Sequence, residues 1–219
     1  MLRKQGWLVK PRVRVHKTGF DKAYYGTHTY DTSSGEPCRV EECNRPLDRK
    51  RHQNNYQEIE SAVAKDARRN KMIADNIVKE IRGGRCVLVL SRRLGHLNEL
   101  RRLVGESRGY ERLFMFTGKE DTATRMEIQK EAENGSCVLF STLADEALDI
   151  PRIDRIHLAW PTRNTDLIRQ QIGRGERPHD AKRDVVINDY LDDSGPLQGQ
   201  FKDRYFGVYR EEGLTVDGI

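Results

Sequence analysis

The sequence predicts an α/β fold in which a mainly parallel sheet is covered by helices on both faces. Apolar runs of strand length alternate along the chain with stretches of helical length, an order that is typical of parallel sheets with helical crossovers. The run at residues 86–90 is apolar at every position, as expected for a strand that is buried on both faces. In such folds the functional groups lie on loops at the carboxyl ends of the strands.

The first 83 residues divide into three predicted parts. An opening strand, interrupted by Pro11, is predicted from four apolar residues, Leu8, Val9, Val13 and Val15. Residues 22–55 are rich in Gly, Ser, Thr, Asn and charge, which predicts a loop or insertion. Residues 56–82 carry apolar side chains at nearly fourfold spacing, which predicts a helix that Gly83 and Gly84 end.

The remaining elements alternate between strands and helices. Strands are predicted near residues 85–91, 112–116, 136–141, 154–159 and 184–190. Helices are predicted near residues 95–105, 121–134 and 164–173. Four polar side chains would then follow the carboxyl ends of strands: Ser91, Thr117, Thr142 and Asp149.

The composition is that of a very polar chain. Charged residues make up 33% of it, and the mean hydropathy is −0.80. Because no apolar stretch has the length of a membrane span and residues 1–10 do not resemble a signal peptide, we expect a soluble intracellular protein. Two of the four cysteines, Cys86 and Cys137, fall in predicted core strands and are interpreted as small buried hydrophobes.

The net charge of +5 is unevenly distributed along the chain. Residues 1–83 carry 18 Lys and Arg against 11 Asp and Glu, whereas residues 84–219 carry 21 against 23. Basic residues cluster around the opening strand and again at residues 49–52. Such clusters attract nucleic-acid phosphates through counterion release, and the alternative is the solvated surface of a highly charged protein.

Residues 170–177, QQIGRGER, carry the most informative motif. Arg174 and Arg177 lie three residues apart on a predicted helix, so both guanidinium groups would face one anion. Arginine is always charged and offers a rigid fork of donors, which suits the charge on a transferring γ-phosphate. Taken alone, this pattern is more typical of an exposed helix face.

A second motif precedes it at residues 137–151, CVLFSTLADEALDIP. It contains a strand, a small polar turn with Thr142 and an acidic loop with Asp149. Together the two segments resemble motifs V and VI in the second RecA-like lobe of superfamily 2 helicases. Motif V there reads roughly S/A-T-x-x-x-x-G-x-D-I-P and motif VI reads Q-x-x-G-R-x-x-R. This chain departs from motif V at Ala147, where glycine is usual.

The resemblance covers nearly the whole chain outside residues 22–55. Residues 85–93 resemble motif IV, and residues 114–118 with Arg125 resemble the strand, Thr-Gly and helix segment that follows it. Three further segments resemble the start of the lobe, its last strand and its closing helix in phage-type and repair-type DNA helicases: residues 6–13, 185–192 and 201–209.

This resemblance implies a division of the chain into four parts. Residues 1–21 would be an opening strand that comes from a missing first lobe, and residues 22–55 a loop or insertion. Residues 56–192 would form the C-terminal RecA-like lobe, and residues 193–219 its closing helix and tail.

The resemblance also implies roles for individual residues. Arg174 and Arg177 would be arginine fingers for ATP bound between two lobes, with Gln170 in the network between the lobes. Gly173 and Asp149 would lie beside the nucleotide. The backbone of one nucleic-acid strand would be held by five residues, Ser91, Arg92, Thr117, Gly118 and Thr142. Closing of the cleft would bring the fingers to the γ-phosphate and shift the grip on the strand.

The implied cofactors are ATP and Mg²⁺, shared with a first lobe. The implied partners are that first lobe and single-stranded or forked DNA, with RNA as a possible substitute. DNA is preferred because the start and the closing helix look most like those of phage-type DNA helicases. The implied compartment is the cytoplasm of a bacterial or phage-infected cell.

The sequence contains no phosphate loop of the form G-x-x-x-x-G-K-[ST], which the first lobe of a helicase needs. Residues 145–148, DEAL, mimic the D-E-A-x box that holds Mg²⁺ in a first lobe. They lie inside the motif V spacing, and no phosphate loop precedes them, so we interpret them as a chance match. The chain is therefore expected to be half of a motor that does not hydrolyse ATP alone.

The predicted insertion holds a weak zinc candidate. Cys38 and Cys43, flanked by His28 and His52, are residue types that Zn²⁺ binds. The spacings are loose and there is one Cys pair, so a disordered or DNA-facing loop is the alternative.

Three functions fit these features. The first is a helicase second lobe that works with a first lobe, either in another chain or in a longer one. The second is a stand-alone single-stranded nucleic-acid-binding module without ATPase activity, and the third is a decayed remnant. We favour the first because the residues of motifs V and VI are nearly complete.

Overall fold

The computed structural model describes residues 10–22, 25–26, 38–39, 49–107, 110, 112–142 and 150–219. Its centre is a seven-stranded sheet with the order β5-β6-β4-β7-β8-β1-β9, in which every pair of neighbours is parallel. The strands of this sheet are β1 (Pro11–Lys17), β4 (Cys86–Ser91), β5 (Leu113–Phe116), β6 (Cys137–Thr142), β7 (Arg155–Leu158), β8 (Val185–Leu191) and β9 (Thr215–Asp217). A separate antiparallel pair is formed by β2 (Tyr25–Gly26) and β3 (Cys38–Arg39).

The helices are α1 (Arg49–Lys65), α2 (Ala67–Arg82), α3 (Leu94–Gly105), α4 (Thr122–Glu133), α5 (Thr165–Glu176) and α6 (Gly195–Arg204). The last of these continues directly into a π-helix at Tyr205–Arg210. The predicted α/β fold with a mainly parallel sheet is therefore confirmed. None of the described helices is long and apolar enough to cross a membrane.

The two faces of the sheet carry two separate apolar clusters. Successive residues of β4 belong alternately to them: Cys86, Leu88 and Leu90 face one cluster, and Val87 and Val89 face the other. The first cluster includes apolar residues of α1, α4, α5 and α6, and the second includes those of α2 and α3. Helices therefore cover both faces, which explains why β4 is apolar at every position but its last.

The first helical region differs from the prediction. The single helix predicted over residues 56–82 is two helices, because Asp66 ends α1 and caps α2 by accepting a hydrogen bond from the Arg69 amide at 2.7 Å. In addition, α1 begins at Arg49, inside the predicted loop. Residues 49–55 carry no apolar periodicity, so no pattern in them predicts this extension.

The opening strand also differs in detail. Pro11 is the first residue of β1 and does not interrupt it, a position where the missing N–H costs no ladder hydrogen bond. β1 lies between β8 and β9, with Val13 and Val15 buried. The three-residue β9 was not predicted, because its residues are largely exposed and too few to show a pattern.

Candidate functional site

Three strand ends form a row at the carboxyl edge of the sheet. The register pairs Ser91 of β4 with Thr142 of β6, and Ser141 of β6 with Phe116 of β5, directly before Thr117. Because neighbouring strands lie about 4.8 Å apart, the row spans roughly 10 Å. The fold thus brings together the five residues that were predicted to contact the backbone of a nucleic-acid strand: Ser91, Arg92, Thr117, Gly118 and Thr142.

The five residues of this row differ in their exposure. Arg92 and Gly118 are exposed, and Thr117 and Thr142 are partly exposed. The Ser91 side chain is fully buried, and its Oγ donates to Nδ1 of His96 at 2.9 Å. Ser91 Oγ also accepts a hydrogen bond from the Arg93 amide, which holds the backbone beside the exposed Arg92.

Behind the row, Ser91, His96 and Asn70 form a buried chain of hydrogen bonds. The Asn70 side chain donates to the Ala64 carbonyl and accepts from His96 Nε2, both at 2.9 Å, so the network assigns the His96 proton to Nε2. The composition matches a Ser-His-Asn hydrolytic triad, but the three side chains are at most 3% exposed and cannot reach a substrate. These hydrogen bonds instead hold α2, α3 and the end of β4 together.

A pH dependence of stability follows from His96 and from His157, which hydrogen-bonds to Tyr190 Oη at 2.8 Å. Burial, reinforced by neighbouring cations, lowers the pKa of each imidazole from 6.5 to about 3. Both are therefore neutral in the folded chain and take up protons on unfolding. The contribution of these two histidines to the free energy of unfolding should be constant well above pH 6.5 and should fall as the pH drops below it, with a slope of up to about 1.4 kcal/mol per pH unit for each histidine.

Urea denaturation between pH 5 and pH 7 tests this expectation, because carboxyl groups titrate mostly below that range. His96→Gln should remove about half of the slope contributed by the pair. A free energy of unfolding that is unchanged from pH 7 to pH 5 would contradict the assignment of two neutral buried imidazoles.

The predicted arginine motif lies on and just after α5. Asn164 caps this helix by accepting a hydrogen bond from the Leu167 amide at 3.0 Å. At its other end a Cβ on Gly175 would lie 2.9 Å from Val185 Cγ1 and 3.1 Å from Ile156 Cδ1, so glycine is needed for the helix to pack this closely. Since Val185 is the first residue of β8, the C-terminal end of α5 lies at the amino edge of the sheet.

The four predicted residues of this motif differ in their environments. Gln170 is exposed, Gly173 and Arg177 are partly exposed, and the Arg174 residue is only 6% exposed. The helix ends at Glu176, and Arg177 has the extended backbone of a C-cap, with φ −58° and ψ 130°. The prediction that both arginines lie on one helical face is wrong in this respect, because only Arg174 is helical.

Lys182 holds the end of α5 in place. Its Nζ donates to the carbonyls of Gly175 and Arg177, at 2.8 and 2.7 Å, where a cation complements the helix C-terminus. Burial lowers the pKa of this amine to about 8. Lys182 thereby holds the backbone of Gly175 and Arg177 at the end of the helix.

The polar row and the arginine motif thus lie at opposite edges of the sheet. A six-residue strand such as β4 is about 16 to 20 Å long at the usual rise per residue, which sets the separation of the two surfaces. This separation follows from the parallel sheet, because a helix that joins two parallel strands returns from the carboxyl edge to the amino edge.

Several predicted residues lie outside the described part of the chain. These include Asp149 and the remainder of residues 143–149, as well as the zinc candidates Cys43 and His28. Cys38 lies in β3 and His52 in α1, but their side chains are not described. Among the described residues no three His, Cys, Asp or Glu side chains are grouped as a metal site would require.

Three acids with structural contacts were not predicted from the sequence. Glu120 accepts hydrogen bonds from the Thr117–Gly118 turn. Two buried aspartates of β8 and its end form ion pairs: Asp189 with Arg204 and Asp192 with Arg69. The sequence signal for the two ion pairs is that Asp189 and Asp192 lie in or directly after a mostly apolar strand, where a buried acid needs a partner.

The fold is that of a RecA-like lobe of the helicase C-terminal type, as comparison with solved structures shows. No protein-family model matches the chain. In sequence it is 25% identical, over 159 residues, to the ATP-dependent DNA helicase uvsW of Enterobacteria phage T4, a match that covers 68% of this chain and 30% of that protein.

Solved structures share the fold. The structure of T4 UvsW matches with a TM-score of 0.64 at 16% identity, over 95% of this chain and 41% of that one. The E. coli DEAD-box protein SrmB, solved with RraA, matches with a TM-score of 0.53 at 20% identity, over 68% of this chain and 85% of that one. The DUF1998 helicase MrfA, solved with DNA and AMPPNP, matches with a TM-score of 0.52 at 17% identity, over 68% of this chain and 21% of that one.

These comparisons confirm the predicted resemblance. The chain has the fold of the C-terminal RecA-like lobe of superfamily 2 helicases and is similar in sequence to a phage DNA helicase. The sequence match spans 30% of the length of that helicase and the structural match 41% of its chain.

Proposed function

We propose that this chain is the second lobe of an ATP-dependent DNA helicase or translocase. It binds the backbone of one nucleic-acid strand at the carboxyl edge of its sheet. It supplies arginine fingers to ATP from the C-terminal end of α5, which lies at the amino edge of the sheet. The observation that carries this proposal is the presence of both surfaces on one rigid sheet. A lobe with this arrangement couples closure on a nucleotide to movement of a strand held at another edge.

The row of strand ends suits a nucleic-acid backbone. Arg92 supplies an exposed charge, and Thr117, Gly118 and Thr142 supply hydroxyls and amides, which are donors suited to phosphate oxygens. None of these groups carries base-specific information by itself, so binding should be independent of sequence. DNA is favoured over RNA because uvsW is named a DNA helicase and MrfA was solved with DNA.

The nucleotide would lie between this lobe and a first lobe that supplies the phosphate loop and the Mg²⁺ site. Arg174 and Arg177 would neutralise the charge that develops on the γ-phosphate, and Gln170 would join the network between the lobes. Gly173 and Asp149 would lie beside the nucleotide. ATP and Mg²⁺ are thus shared cofactors, and the setting is the cytoplasm of a bacterial or phage-infected cell.

A stand-alone single-strand-binding module without ATPase activity is the second candidate. The burial of Arg174 in the isolated chain favours it, because a finger has to reach the nucleotide. The helicase assignment therefore requires that contact with a first lobe exposes the Arg174 side chain.

Binding of a fluorescent oligothymidylate across a range of salt concentrations tests whether the row of strand ends binds a nucleic-acid strand. Arg92→Ala should weaken binding about threefold to tenfold and lower the salt slope by about 0.7, the value expected for one phosphate contact on a single strand. Arg101→Ala, which removes an exposed arginine from α3, is the matched control and should have little effect. Equal losses in both variants would show that only the overall charge matters.

A further inference from the structure

The Glu120 carboxylate occupies the Thr117–Gly118 turn in the row of strand ends. Oε2 accepts from the amides of Thr117 and Gly118, both at 2.9 Å. Oε1 accepts from the Thr117 hydroxyl at 2.9 Å and from the Thr117 amide at 3.1 Å. Two successive amides and a hydroxyl therefore converge on one anion.

This turn has the geometry of an anion-binding nest. Gly118 has φ +83°, a conformation that glycine adopts without strain and that turns consecutive N–H groups toward the same side. Such nests bind phosphate groups as well as carboxylates. The donors that hold Glu120 are thus the donors that would hold a phosphate of a bound strand.

The carboxylate can leave the turn without disturbing the fold. The main chain of Glu120 is held independently, because Arg125 Nε donates to its carbonyl at 3.1 Å and the Arg125 guanidinium lies over the Phe116 ring. Asp121 separately caps α4 through the Thr124 amide at 2.7 Å. The side chain is partly exposed, so a change of its rotamer carries it into solvent.

Glu120 is charged when it occupies the turn. Partial burial opposes the charge, but hydrogen bonds from the backbone amide of Glu120 itself and from the donors of Thr117 and Gly118 outweigh it, so the pKa of the carboxyl is lowered. A negative charge at this position both mimics a phosphate and repels one.

We propose that Glu120 is a displaceable occupant of a phosphate site, and that a phosphodiester of the bound strand takes its place on the Thr117–Gly118 amides. This inference rests on the proposed strand grip and adds a regulatory step to it. Strand binding exchanges one anion for another at the same donors, so the carboxylate lowers the affinity of the free lobe and competes for the site when the strand is released.

The test compares Glu120→Ala with Glu127→Ala, which removes an exposed acid from the neighbouring α4 and changes the net charge equally. Glu120→Ala should bind oligothymidylate about fivefold to tenfold more tightly than the unmodified chain, and its salt slope should rise by about 0.7. Glu127→Ala should show only the small effect of one general charge. Glu120→Gln, which keeps the shape and one weaker acceptor, should lie between them.

A second readout does not depend on strand binding. In NMR titrations with inorganic phosphate, the amide resonances of Thr117 and Gly118 should shift at lower concentration in Glu120→Ala than in the unmodified chain. If these amides respond but no variant binds oligothymidylate, the phosphate site stands and the proposed strand grip fails. If Glu120→Ala and Glu120→Gln bind no more tightly than Glu127→Ala and the amides do not respond, the carboxylate only stabilises the turn and the inference is wrong.

Discussion

Replacing Arg174 by alanine should lower the ATP turnover of this chain, when it is combined with a first lobe, by about 10³-fold to 10⁵-fold, the usual contribution of an arginine finger. Strand binding should be nearly unchanged, because α5 ends at the amino edge of the sheet and the polar row lies at the carboxyl edge. Arg174→Lys should recover little activity, since a lysine keeps the charge but loses the planar fork of donors.

The matched control is Arg183→Ala, which removes an exposed arginine from the loop that leads into β8 at the same edge of the sheet. It should leave turnover within a few-fold of the unmodified protein. Turnover by Arg174→Ala at the level of Arg183→Ala would remove the catalytic role assigned to Arg174. Loss of strand binding in Arg174→Ala would instead indicate a folding defect.

Replacing Arg204 by alanine should destabilise the fold by about 3 to 5 kcal/mol, the usual cost of leaving one member of a buried ion pair without its partner. Arg204 is 1% exposed and binds Asp189 through two hydrogen bonds, each of 2.9 Å. It also donates to the Thr162 carbonyl at 2.7 Å, and Tyr209 Oη donates to Asp189 at 2.7 Å. These contacts join β8, the end of β7, α6 and the π-helix.

Urea denaturation at neutral pH measures this effect. Arg163→Ala is the control, because Arg163 and Asp203 form an exposed pair with N and O atoms 3.8 Å apart, and such pairs contribute at most about 1 kcal/mol. If the two variants lose the same free energy of unfolding, the buried pair does not carry the stability assigned to it.

Five of the seven strands of the central sheet could be predicted to within one residue at each end, because both faces of the sheet are covered. Residues 86–90 have no polar position, and the small polar residues that follow mark the end of the strand. The helix break at Asp66 was missed because the apolar spacing continues across it, and a single capping acid carries the signal. β9 is too short to give any pattern.

The candidate site was predicted in composition and only partly in arrangement. Ser91, Thr117 and Thr142 were placed correctly at strand ends, because parallel strands bring their carboxyl ends together. That Ser91 is buried against His96 depends on the packing of α3, which no local pattern encodes. The contact of Glu120 with the Thr117–Gly118 turn likewise depends on the left-handed backbone of Gly118.

The measurement that tests the central claim most directly is ATPase activity stimulated by single-stranded DNA. It would be made on the highly purified chain alone and on the chain mixed with a candidate first lobe, the first choice being the protein encoded just upstream. We expect no turnover by the chain alone and magnesium-dependent turnover by the mixture that is lost in Arg174→Ala. Magnesium-dependent turnover by the chain alone, or a mixture that binds single strands but never hydrolyses ATP, would contradict the central claim.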